Sequence, residues 1–286
     1  MLQTRIIPAS GERLPVVGLG TWQAFDIAGE QPEPDAAHRA MQSEAAAALL
    51  RFVELGGSLV DSSPMYGSAE QMLGTLAARQ SLHPKLFFAT KVWINGRSEG
   101  IRQMENSLAR MQISLRGPLD LMQVHNLVDT TTHLATLTDW KKSGRVRYLG
   151  ITHYHAGAHR DLERALERGG IDFLQVNYSL GEREAEQRLL PAAKAAGVAV
   201  IANRPFAEGA LFERVRGRAL PALARELGCN SWAQFFLLWI LGNAAVTCTI
   251  PGTRKPAHIE DNLALLRMAA PDAAMRLRMQ RAFEQV

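Results

Sequence analysis

Four side chains capable of acid–base chemistry stand where apolar, strand-like runs end. Asp61 follows GGSLV, and Tyr66 comes five residues later in the segment that ends at Gly67. Lys91 lies in FFATKVW and His125 in DLMQVHN, the next two apolar runs. A carboxylate can hold an ammonium by a charge-assisted hydrogen bond. A nearby ammonium favours tyrosinate, so we expect the pKa of Tyr66 to fall from about 10 by about 1–3 units.

Together these groups predict the reduction of a carbonyl compound. A tuned phenol can donate its proton near neutral pH, and an imidazole N–H can polarise a carbonyl oxygen. No side chain donates hydride, so a nicotinamide cofactor is implied. Each residue also has an ordinary structural interpretation: Asp61 as a turn former or helix cap, His125 as a hydrogen-bonded core histidine. Their joint presence on neighbouring strand ends favours chemistry.

Strand-like and helix-like segments alternate along the chain. The strand-like segments are VVGLG at 16–20, then 57–63, 85–93, 120–126, 147–153, 172–178, 198–203 and 246–252. The amphipathic segments are 42–55, 68–79, 99–112, 131–143, 156–168, 182–196, 231–242 and 255–266. Continuous apolar strands joined by helices indicate a parallel sheet covered on both faces, and eight such units predict a (β/α)₈ TIM barrel.

A β-hairpin precedes the first unit. It consists of RII, a turn through Ser10, Gly11 and Glu12, and LPVVGL, and we expect it to close the N-terminal end, or bottom, of the barrel. No linker-like tract divides residues 1–286, which predicts a single domain with an insertion at 211–228 and an extra helix at 271–286. A doubly wound sheet is the alternative, but Gln23 stands where the third glycine of G-x-G-x-x-G belongs.

Composition narrows the class of protein. The 286 residues are 47% hydrophobic and 21% charged, and the net charge of +4 is scattered, which argues against a nucleic-acid partner. The sequence contains no run of about twenty apolar residues, so no membrane span is predicted. The two cysteines, Cys229 and Cys248, form no CxxC pair. We expect a cytoplasmic protein, unless an export signal has been removed. We also expect a monomer or a weak oligomer whose partner is a small-molecule carbonyl substrate.

The chain resembles the aldo-keto reductase family over nearly its whole length. The segment from Asp61 to Gly67 is similar to the family's D-x-x-x-x-Y-G segment, ATKVW to its lysine strand, LDLMQVH to its histidine strand and VGLGTW to its first strand. The resemblance implies that Asp61, Tyr66, Lys91 and His125 form a catalytic tetrad with Tyr66 as general acid. It also implies NAD(P)H bound at the mouth of a barrel, without a Rossmann fold.

The resemblance extends to cofactor contacts, with departures from the family pattern. In YLGITHY, Thr152 and His153 stand where Ser and Asn usually hold the nicotinamide carboxamide, and LQVNY gives Gln175 as a further contact. In VIANRPF, Asn203 stands near the place of a tyrosine that often stacks on the nicotinamide ring. The implied cofactor contacts are Gly20, Thr21, Trp22, Thr152, His153, Gln175, Asn203, Arg204, Pro205, Phe206, Gly252, Thr253, Arg254, His258, Asp261 and Asn262.

The segment IPGTRKPAHIEDN resembles the family's adenosine-phosphate segment. Gly252 and His258 occupy positions where many members have Lys and Arg for the 2′-phosphate, while Arg254 and Lys255 supply cations nearby. We therefore expect NADPH, with NADH as the alternative. The substrate contacts implied by the resemblance are Trp22, Trp93 and Asn126.

Two other functions remain open at this stage. HYHAGAH places His153, His155 and His159 close together, and H-x-H at a strand end can bind zinc, as in a metal-dependent hydrolase. Exposed loop histidines are the simpler interpretation, so we expect no metal. The second alternative is a regulatory or redox-sensing subunit that binds the cofactor with little turnover.

Overall fold

The chain begins with the expected hairpin. A computed structural model describes residues 2–27, 35–115 and 117–286. Strands β1 (Thr4–Ile6) and β2 (Arg13–Pro15) pair antiparallel, and the amide of Gly11 closes the turn by donating to the carbonyl of Ile7 at 2.9 Å. Gly11 has a φ of +77°, a left-handed conformation that glycine adopts without steric cost.

A parallel sheet follows, whose strand order is the chain order. Among the described residues its eight strands are β3 (Leu19–Gly20), β4 (Leu59–Asp61), β5 (Phe87–Val92), β6 (Leu119–His125), β7 (Val146–His153), β8 (Phe173–Asn177), β9 (Ala199–Asn203) and β10 (Cys248–Thr249). Single bridges from Val17 to Thr249 and from Gly20 to Gly252 bring the first and last strands together. The sheet closes as the expected (β/α)₈ barrel.

Helices connect the strands and cover the barrel. They are α1 (Ala36–Glu54), α2 (Ala69–Arg79), α3 (Arg97–Arg110), α4 (Thr130–Lys142), α5 (His159–Arg168), α6 (Leu189–Ala195), α7 (Ala210–Arg214), α8 (Ala222–Glu226), α9 (Trp232–Leu241), α10 (Pro256–Leu263) and α11 (Ala273–Glu284). Helices α7 and α8 form the insertion, and α11 is the expected extra helix.

Two helices start six or more residues away from the predicted position. Helix α1 starts six residues before position 42, because Asp35 caps it by accepting from the amide of His38 at 2.8 Å. Helix α6 starts at Leu189 instead of residue 182, because the segment before it forms a separate 3₁₀ turn at Glu184–Glu186.

The interior of the barrel is divided into an apolar bottom and a polar top. Ile7 and Leu14 of the hairpin join the bottom cluster, so the hairpin fills the lower end of the barrel as expected. The remaining members of that cluster are Leu59, Phe87, Ala89, Leu121, Tyr148, Phe173, Ala199, Ile201, Cys248 and Ile250. Along β4, β5 and β6 the inward positions above this cluster are Asp61, Lys91 and Gln123.

The hairpin is also tied to the other end of the chain. The guanidinium of Arg5 donates to the carbonyl oxygens of Leu241, Asn243 and Val246, which end α9 and lead into β10. Among the described residues the carbonyl of Leu241, at the end of α9, has no other partner, whereas that of Asn243 also accepts from the amide of Val246 at 3.1 Å. The first and last parts of the barrel therefore hold each other in place.

Helices α2 and α3 approach each other closely at Gly74. A Cβ built on Gly74 would lie 2.3 Å from the carbonyl oxygen of Arg110 and 2.7 Å from the Cα of Met111. Nearby on α2, the buried carboxylate of Glu70 accepts from Thr90 at 2.5 Å and from Ser107 at 3.0 Å. These contacts position α2, which follows the loop that carries Tyr66.

We expect Gly74→Ala to lower the free energy of unfolding by about 1–3 kcal/mol, because the new methyl group meets main-chain atoms that cannot move easily. Alanine also reduces the conformational entropy of the unfolded chain, which by itself would stabilise the protein by roughly 0.4–1 kcal/mol. The cost of the steric clash is larger. Urea denaturation followed by circular dichroism measures the change. Gln71→Ala, on the exposed face of the same helix, is the control and should stay within about 0.5 kcal/mol of the wild type. Equal stability of the two variants would contradict the close approach.

Candidate active site

The ends of three neighbouring strands bring the sequence-predicted acid, amine and imidazole to one mouth of the barrel. Asp61 is the last residue of β4, Lys91 lies near the end of β5, and His125 is the last residue of β6. Because the three strands are parallel and adjacent, these ends lie side by side. Tyr66 follows in the loop between β4 and α2.

Asp61 and Lys91 form a buried ion pair. The Nζ atom of Lys91 donates to Oδ2 of Asp61 at 2.6 Å and to the carbonyl oxygen of Ser62 at 2.7 Å. The side chain of Lys91 is 1% exposed, and burial alone would favour its neutral form. The charges and hydrogen bonds of Asp61 and Tyr66 outweigh that effect, so the pKa of Lys91 is raised. The amine stays protonated inside the barrel.

Two glutamines hold the second oxygen of Asp61. The Nε2 atom of Gln175 donates to Oδ1 of Asp61 at 2.8 Å, and Nε2 of Gln123 donates to the same oxygen at 3.1 Å. Thr152 and Asn203 each donate to Oε1 of Gln175 at 3.3 Å. Gln175, which the resemblance implies as a cofactor contact, thus also orients the carboxylate. Gln123 was not identified from the sequence.

Tyr66 lies over the ammonium of Lys91. The Nζ atom is 4.8 Å from the centre of the phenol ring. Burial raises the pKa of Tyr66, and Asp61 raises it further, while Lys91 lowers it; the net shift is upward. The expected lowering of this pKa is therefore wrong in its net direction. The phenol is protonated at neutral pH, and Lys91 limits the cost of its ionisation.

The loop that carries Tyr66 is fastened by Asp26. Oδ1 of Asp26 accepts from the amide of Ser68 at 2.9 Å and from its hydroxyl at 3.1 Å. Gly67 has a φ of +57°, and a Cβ there would lie 2.1 Å from the same oxygen. The small residue after Tyr66 is thus required both by the backbone and by the packing of Asp26.

His125 is held beside Tyr66 as a neutral imidazole. Burial first, then the positive charge of Lys91 and the neighbouring His153, lower the pKa of His125 to about 3. Its Nδ1 atom is 3.2 Å from Oγ of Ser63, and its ring lies 6.2 Å from that of Tyr66 and 6.1 Å from that of Trp93. A neutral imidazole keeps one N–H, which can donate to a carbonyl oxygen.

A cleft of about 1080 Å³ leads away from Asp61 and Tyr66 across the top of the barrel. Such a volume is slightly above the usual range of about 300–1,000 Å³ for small-molecule sites. Many of the implied cofactor residues line it: Gly20, Thr21, Trp22, Gln175, Asn203, Arg204, Pro205, Phe206, Gly252, Thr253, His258, Asp261 and Asn262. The Oδ1 atom of Asn203 is buried and lacks a partner within the described structure.

Other implied residues lie beside this cleft or are engaged elsewhere. Thr152 is buried behind Gln175, and Nδ1 of His153 accepts from the amide of His155 at 3.1 Å. Arg254 forms an ion pair with Glu44 of α1 at 2.9 Å. Trp93 is 38% exposed and lies next to His125. Asn126 follows His125 with a φ of +51°, and its buried Oδ1 is unpartnered among the described residues.

Several lining residues were not identified from the sequence. Arg204 connects two of them across the rim, because it donates to the carbonyl oxygen of Tyr154 at 3.0 Å and pairs with Glu208 at 2.8 Å. Phe212 and Trp232 flank the cleft from the insertion and from α9. The other missed residues are Gln23, Gly209, Ser231, Ala233 and Ile250. Phe212, the one aromatic residue of the insertion, was the available signal there.

The histidine-rich loop does not bring its side chains together around one point. Nδ1 of His155 accepts from the amide of Gly157 at 3.0 Å, and Nε2 of His159 lies 3.3 Å from Oδ1 of Asn177. Across residues 2–27, 35–115 and 117–286, no group of three or more His, Cys, Asp or Glu side chains is arranged to hold a metal ion. None of the helices in the described ranges combines the length and the apolar character that a membrane-spanning segment requires.

Comparisons with known proteins identify relatives along the whole chain. A model of the Aldo/keto reductase family matches residues 16–277. Methylglyoxal reductase YeaE of Escherichia coli (strain K12) is 30% identical over 287 residues, which cover 96% of this chain and 94% of that protein. Aldo-keto reductase str7 of Strobilurus tenacellus is 27% identical and covers 73% of this chain and 72% of its own.

The fold is also found in solved structures of aldo-keto reductases. A crystal structure of an aldo-keto reductase from Klebsiella pneumoniae in complex with NADPH superimposes with a TM-score of 0.78. The two chains are 22% identical, and the match covers 99% of this chain and 96% of that one. With the match of the family model and the identity to the Escherichia coli reductase, these similarities show that the chain belongs to the aldo/keto reductase family.

Proposed function

We propose that the protein reduces aldehydes or ketones to alcohols with NADPH and that Tyr66 is the general acid. The observation that carries the proposal is the buried Lys91–Asp61 pair directly beneath the phenol ring of Tyr66, beside neutral His125. The name of the Escherichia coli relative, a methylglyoxal reductase, supports carbonyl reduction, and the NADPH in the Klebsiella pneumoniae structure supports the cofactor.

The cleft suits a dinucleotide whose reactive end lies near Tyr66. The unpartnered Oδ1 of Asn203 is an acceptor for a carboxamide N–H, and Trp22, which is 44% exposed, provides an apolar surface at the same end. At the other end, Asp261 is held by Ser231 at 2.5 Å and by Gln234 at 2.7 Å, next to buried Asn262. When bound, the nicotinamide supplies the hydride that no side chain can provide.

The proton follows a short route. Tyr66 is protonated in the resting protein because burial raises its pKa, and it gives its proton to the carbonyl oxygen as that oxygen gains charge. The ammonium of Lys91 then stabilises the tyrosinate, and Asp61 keeps the ammonium in place. The N–H of neutral His125 donates to the same carbonyl oxygen. The ion pair that supports the acid Tyr66 thus comes from β4 and β5, whereas the N–H that polarises the carbonyl comes from β6.

The preference for NADPH over NADH depends on the start of α10. Arg254 already pairs with Glu44, whereas Lys255 is exposed and its ammonium forms no ion pair with any described residue. Lys255 is the N-terminal cap of α10, and the positive end of the helix dipole attracts an anion there. We infer that Lys255 provides the main cationic contact to a 2′-phosphate.

Replacing Tyr66 by Phe should slow reduction by about 10²–10⁴-fold, the usual loss for a general acid. NADPH binding should be retained, since only the hydroxyl is removed. The measurement is NADPH consumption with methylglyoxal and a series of aldehydes and ketones, with NADH in parallel. Tyr148→Phe is the matched control, because that hydroxyl contacts Ser10 and Glu12 at the opposite end of the barrel.

Unchanged turnover in Tyr66→Phe would disprove the role of the phenol. If the wild type binds NADPH tightly but reduces none of the carbonyl compounds, the protein is instead a cofactor-binding regulatory subunit.

Lys91→Met should destabilise the fold by about 3–5 kcal/mol, because it leaves the buried charge of Asp61 without its partner. Combining it with Asp61→Asn removes that charge, so the double variant should be more stable than Lys91→Met alone. Urea denaturation of the two single variants and the double variant measures the coupling. Strictly additive losses would show that the two side chains do not interact.

Lys255→Ala should raise the dissociation constant for NADPH about 10-fold, the size expected for one charged contact, and leave that for NADH unchanged. The effect should weaken with added salt because the site is exposed. Lys142→Ala, which removes an exposed lysine from the end of α4, is the control. A parallel loss of NADH affinity would refute a 2′-phosphate contact.

A further inference from the structure

Ser63 stands beside His125 and is unused in the proton route described above. It lies in the loop after β4, three residues before Tyr66, and its side chain is 0% exposed. Its Oγ atom is 3.2 Å from Nδ1 of His125. A buried hydroxyl next to an imidazole nitrogen bears directly on where the imidazole proton resides.

The hydrogen bonds of Ser63 leave one place for its proton. The hydroxyl oxygen accepts from the amide of Met65 at 3.2 Å, which uses a lone pair. Among the described residues, the only other polar atom in contact with Oγ is Nδ1 of His125. Since a buried hydroxyl proton needs an acceptor, Ser63 donates to Nδ1. The opposite arrangement, with Nδ1–H donating to Oγ, would leave the serine proton buried and unpaired.

A neutral imidazole carries one N–H, so a proton-free Nδ1 places the hydrogen on Nε2. No described residue forms a hydrogen bond with Nε2, which leaves it available at the mouth of the barrel. The rings of Tyr66 and Trp93 lie close to the imidazole, with centroids 6.2 and 6.1 Å away, and limit its rotation. In the other tautomer Nε2 would present a lone pair, which repels a carbonyl oxygen.

We propose that Ser63 is a positioning residue that fixes the tautomer of His125 with its proton on Nε2, facing the substrate. This inference rests on the proposed carbonyl reduction for its purpose, but the tautomer itself is a property of the resting protein. Ser63 thereby links the loop of Tyr66 to β6. The loop after β4 then positions the general acid and also orients the N–H that polarises the carbonyl.

Nitrogen NMR of protein labelled with ¹⁵N-histidine tests the proposal without any turnover. The chain has eight histidines, and the signals lost in His125→Gln identify those of His125. In the wild type, Nδ1 of His125 should show the shift of an unprotonated nitrogen and Nε2 that of an N–H. A proton on Nδ1 in the wild type would overturn the proposal before any serine variant is made.

Ser63→Ala should convert the His125 signals to a mixture of tautomers. Ser62→Ala is the control for this spectrum, because the neighbouring hydroxyl of Ser62 accepts from Thr21 at 2.9 Å and has no contact with the imidazole. An unchanged His125 spectrum in Ser63→Ala would show that the serine does not set the tautomer.

Kinetics then separate this role from the proposed function. In Ser63→Ala, kcat should fall about 10-fold, less than the loss expected when an electrophilic donor is removed altogether. The dissociation constant for NADPH should stay within about 2-fold, since Ser63 does not line the cofactor cleft. A lower kcat with an unchanged tautomer would assign the effect to the Tyr66 loop through Met65. An inactive wild type with the Nε2–H tautomer would refute the reductase function and leave the assignment of the tautomer intact.

Discussion

The structure of the site depends on one buried ion pair, Lys91 with Asp61. Placing two charges inside a barrel costs several kcal/mol per ion after relaxation, so the pair is stable only if every remaining donor and acceptor is satisfied. Gln123 and Gln175 meet that requirement at Oδ1 of Asp61, and the carbonyl of Ser62 meets it at the ammonium. The polar upper part of the barrel interior follows from this constraint.

The ammonium of this pair lowers the pKa of both Tyr66 and His125, but burial acts on the two groups in opposite directions. Tyr66 stays protonated because burial outweighs the attraction of Lys91, and His125 stays neutral because burial and that positive charge both oppose a second cation. One ammonium therefore supports an acid that must lose a proton and an imidazole that must not gain one. Moving Lys91 to the surface would remove both effects, since water screens an exposed charge.

The barrel and the polar residues at the ends of β4, β5 and β6 were readable from the sequence because buried parallel strands form apolar runs, and a lysine within FFATKV needs a partner. Gln123 was missed because the register of β6 decides that it faces inward. The direction of the Tyr66 pKa was wrong because it depends on burial, which spacing does not reveal. Asp35 extended α1 beyond its periodic segment, and Phe212 lay in an insertion without a clear pattern.

The contacts of the hairpin at the bottom of the barrel show which parts of the chain must come together before the barrel can close. The hairpin precedes all eight barrel strands in the chain, yet the partners of Arg5 lie more than 230 residues later, at the carbonyls of Leu241, Asn243 and Val246. Val17 likewise pairs with Thr249, which belongs to the last strand. Without its last strand the sheet would keep two exposed edges, so closure of the barrel depends on contacts of long sequence separation.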